Sequence, residues 1–227
     1  MGEETTSIAE HLAAVRKRVQ EAAARAGRAP ESVTLLAVSK TKSEAQIREA
    51  YAAGQRDFGE NYVQELCAKA AALADLADIR WHLIGPLQRN KVKQVVPLAA
   101  LIHTVDRLAL AEEIEKRAST VGVIPVLIEV YVSGEASKAG CSPEEAPALA
   151  ERIREMGHLS LRGLMTIPPD TEDREEARPY FARLAALRDR ISGLTELSMG
   201  MSHDFEIAIA EGATIVRVGT AIFGSRT

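Results

Sequence analysis

What most constrains this chain is an alternation: short apolar runs, each closed by polar or turn-forming residues, separated by amphipathic stretches of helical period, from residue 33 to residue 218. Leu35-Leu36-Ala37-Val38 is typical. Four apolar residues in succession read as a strand buried on both faces rather than one with a wet side. Strands are expected at 33–40, 56–60, 79–85, 101–105, 125–132, 159–167, 194–200 and 214–218. Helices are expected between them at 44–53, 61–76, 88–96, 107–118, 143–156, 172–191 and 204–210. Eight units with no composition shift and no Pro/Gly/Ser-rich linker predict an α/β fold, a single-domain (β/α)8 TIM-type barrel over residues 1–227. An open doubly wound sheet is the alternative, weakened by the regular count and by the lack of any G-x-G-x-x-G turn.

One helix falls outside the alternation. Residues 7–26 put Ile8, Leu12, Val15 and Val19 on one stripe, with Ser7 placed to cap the start and Gly27 to end it. Because it precedes the first strand, it is an additional N-terminal helix, expected to cover the amino end of the barrel.

Composition narrows the function classes. The chain is 46% hydrophobic and 26% charged, ordinary for a globular protein, and its net charge of −4 gives no general basis for binding nucleic acid or an anionic membrane. No apolar stretch approaches the roughly 20 residues that span a bilayer. The acidic, polar start at 1–6 is neither a secretory signal nor an Arg-rich transit peptide, so a cytoplasmic location is expected. Cys67 and Cys141 are far apart with no C-x-x-C, and the five histidines show no ligand spacing. Inert thiols and no metal are expected.

In barrels of this kind chemistry gathers where the strands exit. Lys40 stands at the first exit, either as a solvated residue capping a strand or as a cation aimed at a ligand. Phe58-Gly59-Glu60-Asn61-Tyr62 follows strand two, Ser198-Met199-Gly200-Met201-Ser202-His203-Asp204 strand seven, and Gly219-Thr220-Ala221-Ile222-Phe223-Gly224 strand eight. A Gly-bearing turn leading into a helix leaves N–H groups unpaired at the positive end of the helix dipole, which suits a phosphate. Ser202 and Gly219-Thr220 are placed to build such a cradle; equally, Ser202 can be only an N-cap and Gly219-Thr220 an ordinary turn. Arg217 lies inside Ile215-Val216-Arg217-Val218, where a charge needs an acceptor. It either pairs with a buried carboxylate such as Glu129 or points into the barrel mouth. The basic stretch 88–93 lacks interleaved aromatics and reads as a solvated helix face, as does the acidic run 170–176.

Six motifs, in order, carry a resemblance: Val38-Ser39-Lys40-Thr41-Lys42, Phe58-Gly59-Glu60-Asn61, the stretch 82–91, Gly163-Leu164-Met165, Gly200-Met201-Ser202-His203-Asp204 and the stretch 216–224. Over nearly its whole length the chain resembles the YggS/PROSC-type pyridoxal phosphate homeostasis proteins. The resemblance implies a barrel similar to that of alanine racemase, with pyridoxal 5'-phosphate held as a Schiff base on Lys40. It also implies that Ser202, Gly219 and Thr220 hold the phosphate, that Arg217 faces the pyridine nitrogen and that Asn61 lies near the ring. A lysine desolvated at a strand exit has a lowered pKa and can form an imine, which agrees. Ser43 departs from the family, which usually has proline there; this would loosen the following helix start and leave Lys40 in place.

Two uses of the cofactor remain. One is a non-catalytic carrier and regulator, monomeric, that supplies apo forms of pyridoxal-dependent enzymes; the other is an amino-acid racemase. Racemisation needs a base on each face of the substrate carbon. Racemases take the second from a β-rich domain and a dimer partner, and this chain stops at Thr227, just after the loop of strand eight. An arginine at the ring nitrogen also weakens carbanion stabilisation, although alanine racemase itself uses one. The carrier is therefore the expectation, with a barrel binding another phosphate metabolite as a third reading.

Overall fold

Eight parallel strands close into a barrel in chain order: β1 (Thr34–Val38), β2 (Asp57–Glu60), β3 (Arg80–Leu83), β4 (Ala99–Val105), β5 (Ile124–Glu129), β6 (Leu159–Met165), β7 (Glu196–Ser198) and β8 (Ile215–Val218), with β8 returning to β1. The computed structural model describes residues 7–133 and 139–224; the acidic start at 1–6 and the end at Thr227 lie outside the described residues. Around the strands run α1 (Ile8–Arg25), α2 (Glu44–Ala52), α3 (Val63–Ala72), α4 (Val92–Val95), α5 (Leu108–Ala118), α6 (Ala146–Arg154), α7 (Arg178–Arg190), α8 (Phe205–Ala210) and α9 (Thr220–Phe223). None of the described helices is long and apolar enough to cross a membrane.

Strand side chains alternate between two cores. Leu36, Val38, Ile84, Leu101, Leu127, Met165 and Ile215 meet inside the barrel. Their neighbours Ala37, Leu83, Ile102, Val126, Leu164 and Val216 face outward into the layer beneath the helices. By the same alternation His82, His103, Glu129, Ser198 and Arg217 turn inward, and all are buried. The barrel interior thus holds a set of buried polar side chains among the apolar ones.

The elements are shorter than the sequence pattern suggests, for local reasons. Lys40 lies two residues beyond the end of β1. The helix expected at 88–96 is a 3-10 turn, Arg89–Lys91, followed by the single turn of α4. Pro147 and Pro179 each stand at the second position of their helices, where the missing N–H costs nothing, so α6 and α7 begin later than expected. Residues 174–177 form a separate 3-10 turn.

Helix α1 is not where its sequence position suggested. It packs against α2, α8 and α9, on the outer ring across the seam between β8 and β1, rather than over the amino end. The reason is a gap: the helix after β8 is only four residues long, leaving that side of the ring open for another apolar stripe. Leu12, Val15 and Val19 fill it and are buried, each contributing about 1.5–3 kcal/mol. Arg18 pairs with Glu206 at 2.9 Å, and His11 Nδ1 lies 3.2 Å from Ile222 O. Its ends are as expected. Ser7 and Glu10 form a capping box, and Gly27, at φ 68°, closes the helix with Arg28 N–H donating to Ala23 O and Gly27 N–H to Ala24 O.

Cys141 and Glu129 are among the buried groups outside the candidate site whose acidities are shifted. Burial pushes the Cys141 thiol up to about 12, which makes it unreactive. Burial also raises Glu129 to about 7, with Asp106 adding to the effect and Arg217 opposing it. The neutral carboxyl therefore suits the fold. Its stabilising preference is complete below the unfolded value of about 4.5 and is lost as pH rises through about 7. The Glu129→Gln variant is expected to escape this loss and to exceed the parent at pH 8 by roughly 1–3 kcal/mol. Urea unfolding at pH 5 and pH 8 measures it, and equal pH dependence in parent and variant would refute it.

Candidate functional site

At the carboxyl ends of the strands lies a cavity of about 310 Å³. Lys40, Asn61, Ser202, Arg217, Gly219 and Thr220, the six residues singled out in the sequence, all line it. Val38, Ile84, Ile167 and Met201 supply apolar walls, and the last two are exposed, so the cavity opens to solvent. A larger cavity of about 520 Å³ opens at the opposite, amino end, lined by Asp57, Arg80, His82, Arg162 and Glu196 among others. The first lies at the carboxyl ends, where the loops leaving the strands of a barrel converge on ligands, so it is the candidate site.

The turn that carries Lys40 is clamped from below. Lys69, buried on α3, donates to Ser39 O at 2.7 Å, to Glu60 Oε1 at 2.8 Å and to Glu65 Oε2 at 2.7 Å. Ser39 Oγ–H donates to Glu60 Oε1 at 2.6 Å, and Thr41 N–H to Glu65 Oε2 at 2.7 Å. Thr41 sits at φ 63°, a left-handed conformation that costs a β-branched residue of order 1 kcal/mol. The Glu65 carboxylate accepting its N–H offsets that strain. Burial raises the pKa of Glu60, opposed by the hydrogen bonds from Lys69 and Ser39. Lys42 is occupied elsewhere: its Nζ donates to Phe223 O at 3.2 Å and Gly224 O at 3.1 Å, the carbonyl end of α9. Ser43 forms a full capping box with Gln46 at the start of α2, so the departure from proline leaves that helix start well fixed.

Opposite the lysine, two loops are tied together. Gly219 N–H donates to Ser202 Oγ at 3.3 Å. Ser202 is not the N-cap of α8; Asp204 occupies that position, and its Oδ1 accepts from Met201 N at 2.6 Å. Within α9 the first backbone bonds are made by Ile222 and Phe223 to Gly219 O, which leaves the N–H groups of Thr220 and Ala221 at the helix start. Asn61 Oδ1 is buried with no partner. The Asn61 backbone rests against Gly85, where a Cβ would fall 2.1 Å from Asn61 O, so only glycine admits this approach.

Arg217 turns inward from β8, opposite Leu36 of β1. It does not pair with Glu129. Its Nη1 donates to Ser198 Oγ at 2.8 Å and its Nη2 to Thr166 O at 2.9 Å. Burial lowers its pKa to about 10, with Asp204 and Glu129 opposing, so it stays cationic at neutral pH. These acceptors stand at the exits of β7 and β6, and nothing in the sequence matched them to Arg217. Behind Ser198 stand His103, His82 and Asp57, whose signal was a polar residue at an inward position of an apolar strand.

Fold and pocket together define a barrel of the alanine racemase type: the family described as alanine racemase, N-terminal domain, matches residues 11–227. A protein of Pseudomonas aeruginosa named pyridoxal phosphate homeostasis protein is 53% identical over 223 residues, 97% of this chain and 96% of its own. Another of that name, from Aquifex aeolicus, is 50% identical over 96% of this chain and 97% of its own. Among solved structures, PipY of Synechococcus elongatus with PLP bound superposes with a TM-score of 0.85 at 41% identity, covering 96% of this chain and all of its own. The chain belongs to the pyridoxal phosphate homeostasis protein family.

Proposed function

We propose that this chain binds pyridoxal 5'-phosphate in the cavity at the carboxyl ends of its strands and serves cofactor homeostasis without catalysing a reaction of its own. The observation that carries the reading is convergence in one cavity of three chemistries the cofactor requires. They are a lysine at a strand exit, a turn with N–H groups at a helix start, and a buried guanidinium. The orphaned Asn61 Oδ1 adds an acceptor in want of a donor. These residues fit the group. Lys40 would hold its aldehyde carbon, Ser202, Gly219 and Thr220 its phosphate, Arg217 its ring nitrogen and Asn61 the edge of the ring. When bound, the cofactor supplies an electrophilic carbonyl and an electron-withdrawing ring.

The protein's own residues favour holding over turnover. A guanidinium beside the ring nitrogen can donate a hydrogen bond to it but does not transfer the proton, which weakens the ring as an electron sink. The lysine turn is pinned at Ser39 O and Thr41 N. The exposed Ile167 and Met201 leave the pocket open to an apo-enzyme that would take the cofactor. The P. aeruginosa and A. aeolicus relatives bear homeostasis names, which supports the same reading.

The test has two parts. Pyridoxal lacking the phosphate should bind at least about 100-fold more weakly than pyridoxal 5'-phosphate, because charge-assisted bonds to N–H groups are lost; equal dissociation constants would remove the cradle. The loaded protein should restore activity to an apo pyridoxal-dependent enzyme while leaving L-alanine unracemised beyond the rate of free cofactor. Saturable stereoinversion by chiral chromatography would replace the carrier with an enzyme.

A further inference from the structure

A line of hydrogen bonds crosses the barrel interior from its amino end to the candidate pocket. Asp57, the first residue of β2, accepts from His82 Nε2 at 3.1 Å. His82 Nδ1 lies 3.0 Å from His103 Nε2, His103 Nδ1 lies 2.9 Å from Ser198 Oγ, and Ser198 Oγ accepts from Arg217 Nη1 at 2.8 Å. His82, His103, Ser198 and Arg217 are all buried, and β2, β3, β4, β7 and β8 contribute one residue each.

The chemistry of the members leaves little freedom in how the protons are arranged. An ionised carboxylate can only accept. Burial would raise the Asp57 pKa, but the hydrogen bonds from His82 and Arg80 outweigh it and hold the group at about 2, so it is ionised. His82 must then carry a proton on Nε2. The Ser198 oxygen already receives the Arg217 N–H, so the buried hydroxyl places its own proton on His103 Nδ1; His103 then presents N–H from Nε2, and His82 Nδ1 accepts it. Burial holds the His103 pKa well below the usual imidazole value, so the ring carries that one proton and its Nδ1 stays an acceptor for the Ser198 hydroxyl. The Ser198 oxygen is then turned to receive Arg217. Every bond runs the same way, from the guanidinium to the carboxylate.

We propose that Asp57, His82, His103 and Ser198 act as one positioning relay for Arg217, in which the carboxylate at the amino end selects the tautomer of both imidazoles and so sets which way the Ser198 hydroxyl points beneath the guanidinium. These are positioning residues, since only Arg217 reaches the pocket. The relay is a property of the cofactor-free chain; its effect on the cofactor rests on the function proposed above.

The first measurement needs neither variant nor cofactor. In wild-type protein with ring-¹⁵N histidine, His82 and His103 should each carry a proton on Nε2, and Nδ1 of His103 should bear none. A proton on His103 Nδ1 overturns the relay. The second measurement is directional. Asp57→Asn replaces an obligate acceptor by a group that also donates, so His103, two hydrogen bonds away, should become a mixture of tautomers. Ser198→Ala, at the other end, should leave the His103 tautomer as in wild type. An unchanged His103 in Asp57→Asn, or a changed one in Ser198→Ala, overturns the direction of control. With pyridoxal 5'-phosphate, Asp57→Asn should shift the pH profile of the bound chromophore and raise its dissociation constant about fivefold. Wild-type protein that fails to bind the cofactor would sink the functional reading and leave the tautomer result standing. Binding with an Asp57→Asn profile identical to wild type would end the relay's claim on the pocket.

Discussion

Alanine at position 40 should abolish borohydride-trapped labelling of the protein by pyridoxal 5'-phosphate, whereas alanine at position 42 should leave the label in place. Both lysines line the cavity, so proximity does not separate them. Their tethers do. Lys40 follows β1 on a turn clamped at Ser39 O by Lys69 and at Thr41 N by Glu65. Lys42 donates to Phe223 O and Gly224 O, where a cation meets the negative end of α9. Removing it should cost about 1 kcal/mol of stability without erasing attachment. Peptide mapping of the reduced protein decides the matter: a label on Lys42 with Lys40 unmodified would reverse the assignment.

The largest expected effect on stability comes from Lys69→Met. Glu60 is fully buried, and Lys69 is its ion-pair partner at 2.8 Å. Stranding a buried carboxylate costs about 3–5 kcal/mol. Glu60 can escape by taking up a proton, and burial already raises its pKa. A raised acid favours the fold at low pH and loses that advantage as pH climbs. The damage from Lys69→Met should accordingly be smaller at pH 5 than at pH 8, and adding Glu60→Gln should restore part of it. Chemical unfolding of the single and double variants at both pH values measures this. Damage independent of pH would mean that Glu60 is not the group left stranded. Because the clamp also holds the strained Thr41, cofactor release from the single variant should quicken.

The barrel was legible because its strands are apolar in unbroken runs, the mark of elements covered on both faces. The pocket was legible in part because a lysine ending a core strand and glycine turns entering helices are local signals. Arg217 announced that it needed an acceptor or a place in the barrel mouth; it lines the cavity, and Glu129, the one acceptor offered by name, does not pair with it. Ser198 and Thr166 O reach it only through the closure of β8 on β7 and β1, a long-range fact with no local trace. His82 and His103 failed in the same way: read for metal-ligand spacing they look scattered, while pairing of β3 with β4 brings His82 Nδ1 within 3.0 Å of His103 Nε2. Nothing local in the sequence singles out Lys69, four residues from Glu65 on a helix; only the fold brings Glu60 to it. The stripe on α1 showed that a face had to be covered and was silent about what would cover it.

The place of α1 across the seam between β8 and β1 has a consequence for how the molecule is made. On a ribosome residues 8–25 emerge before any strand of the barrel, yet the surfaces that receive them belong largely to α8 and α9, which follow β7 and β8. Until β8 arrives, β1 has an unpaired edge beside Lys40, and the apolar stripe Leu12, Val15 and Val19 has no complete berth. Lys40 is thus translated long before Ser202, Arg217 and Gly219, and the nascent chain holds only one side of the cavity. Closing the ring and completing the pocket are the same event, so the cofactor has nowhere to bind until the last strand has left the tunnel.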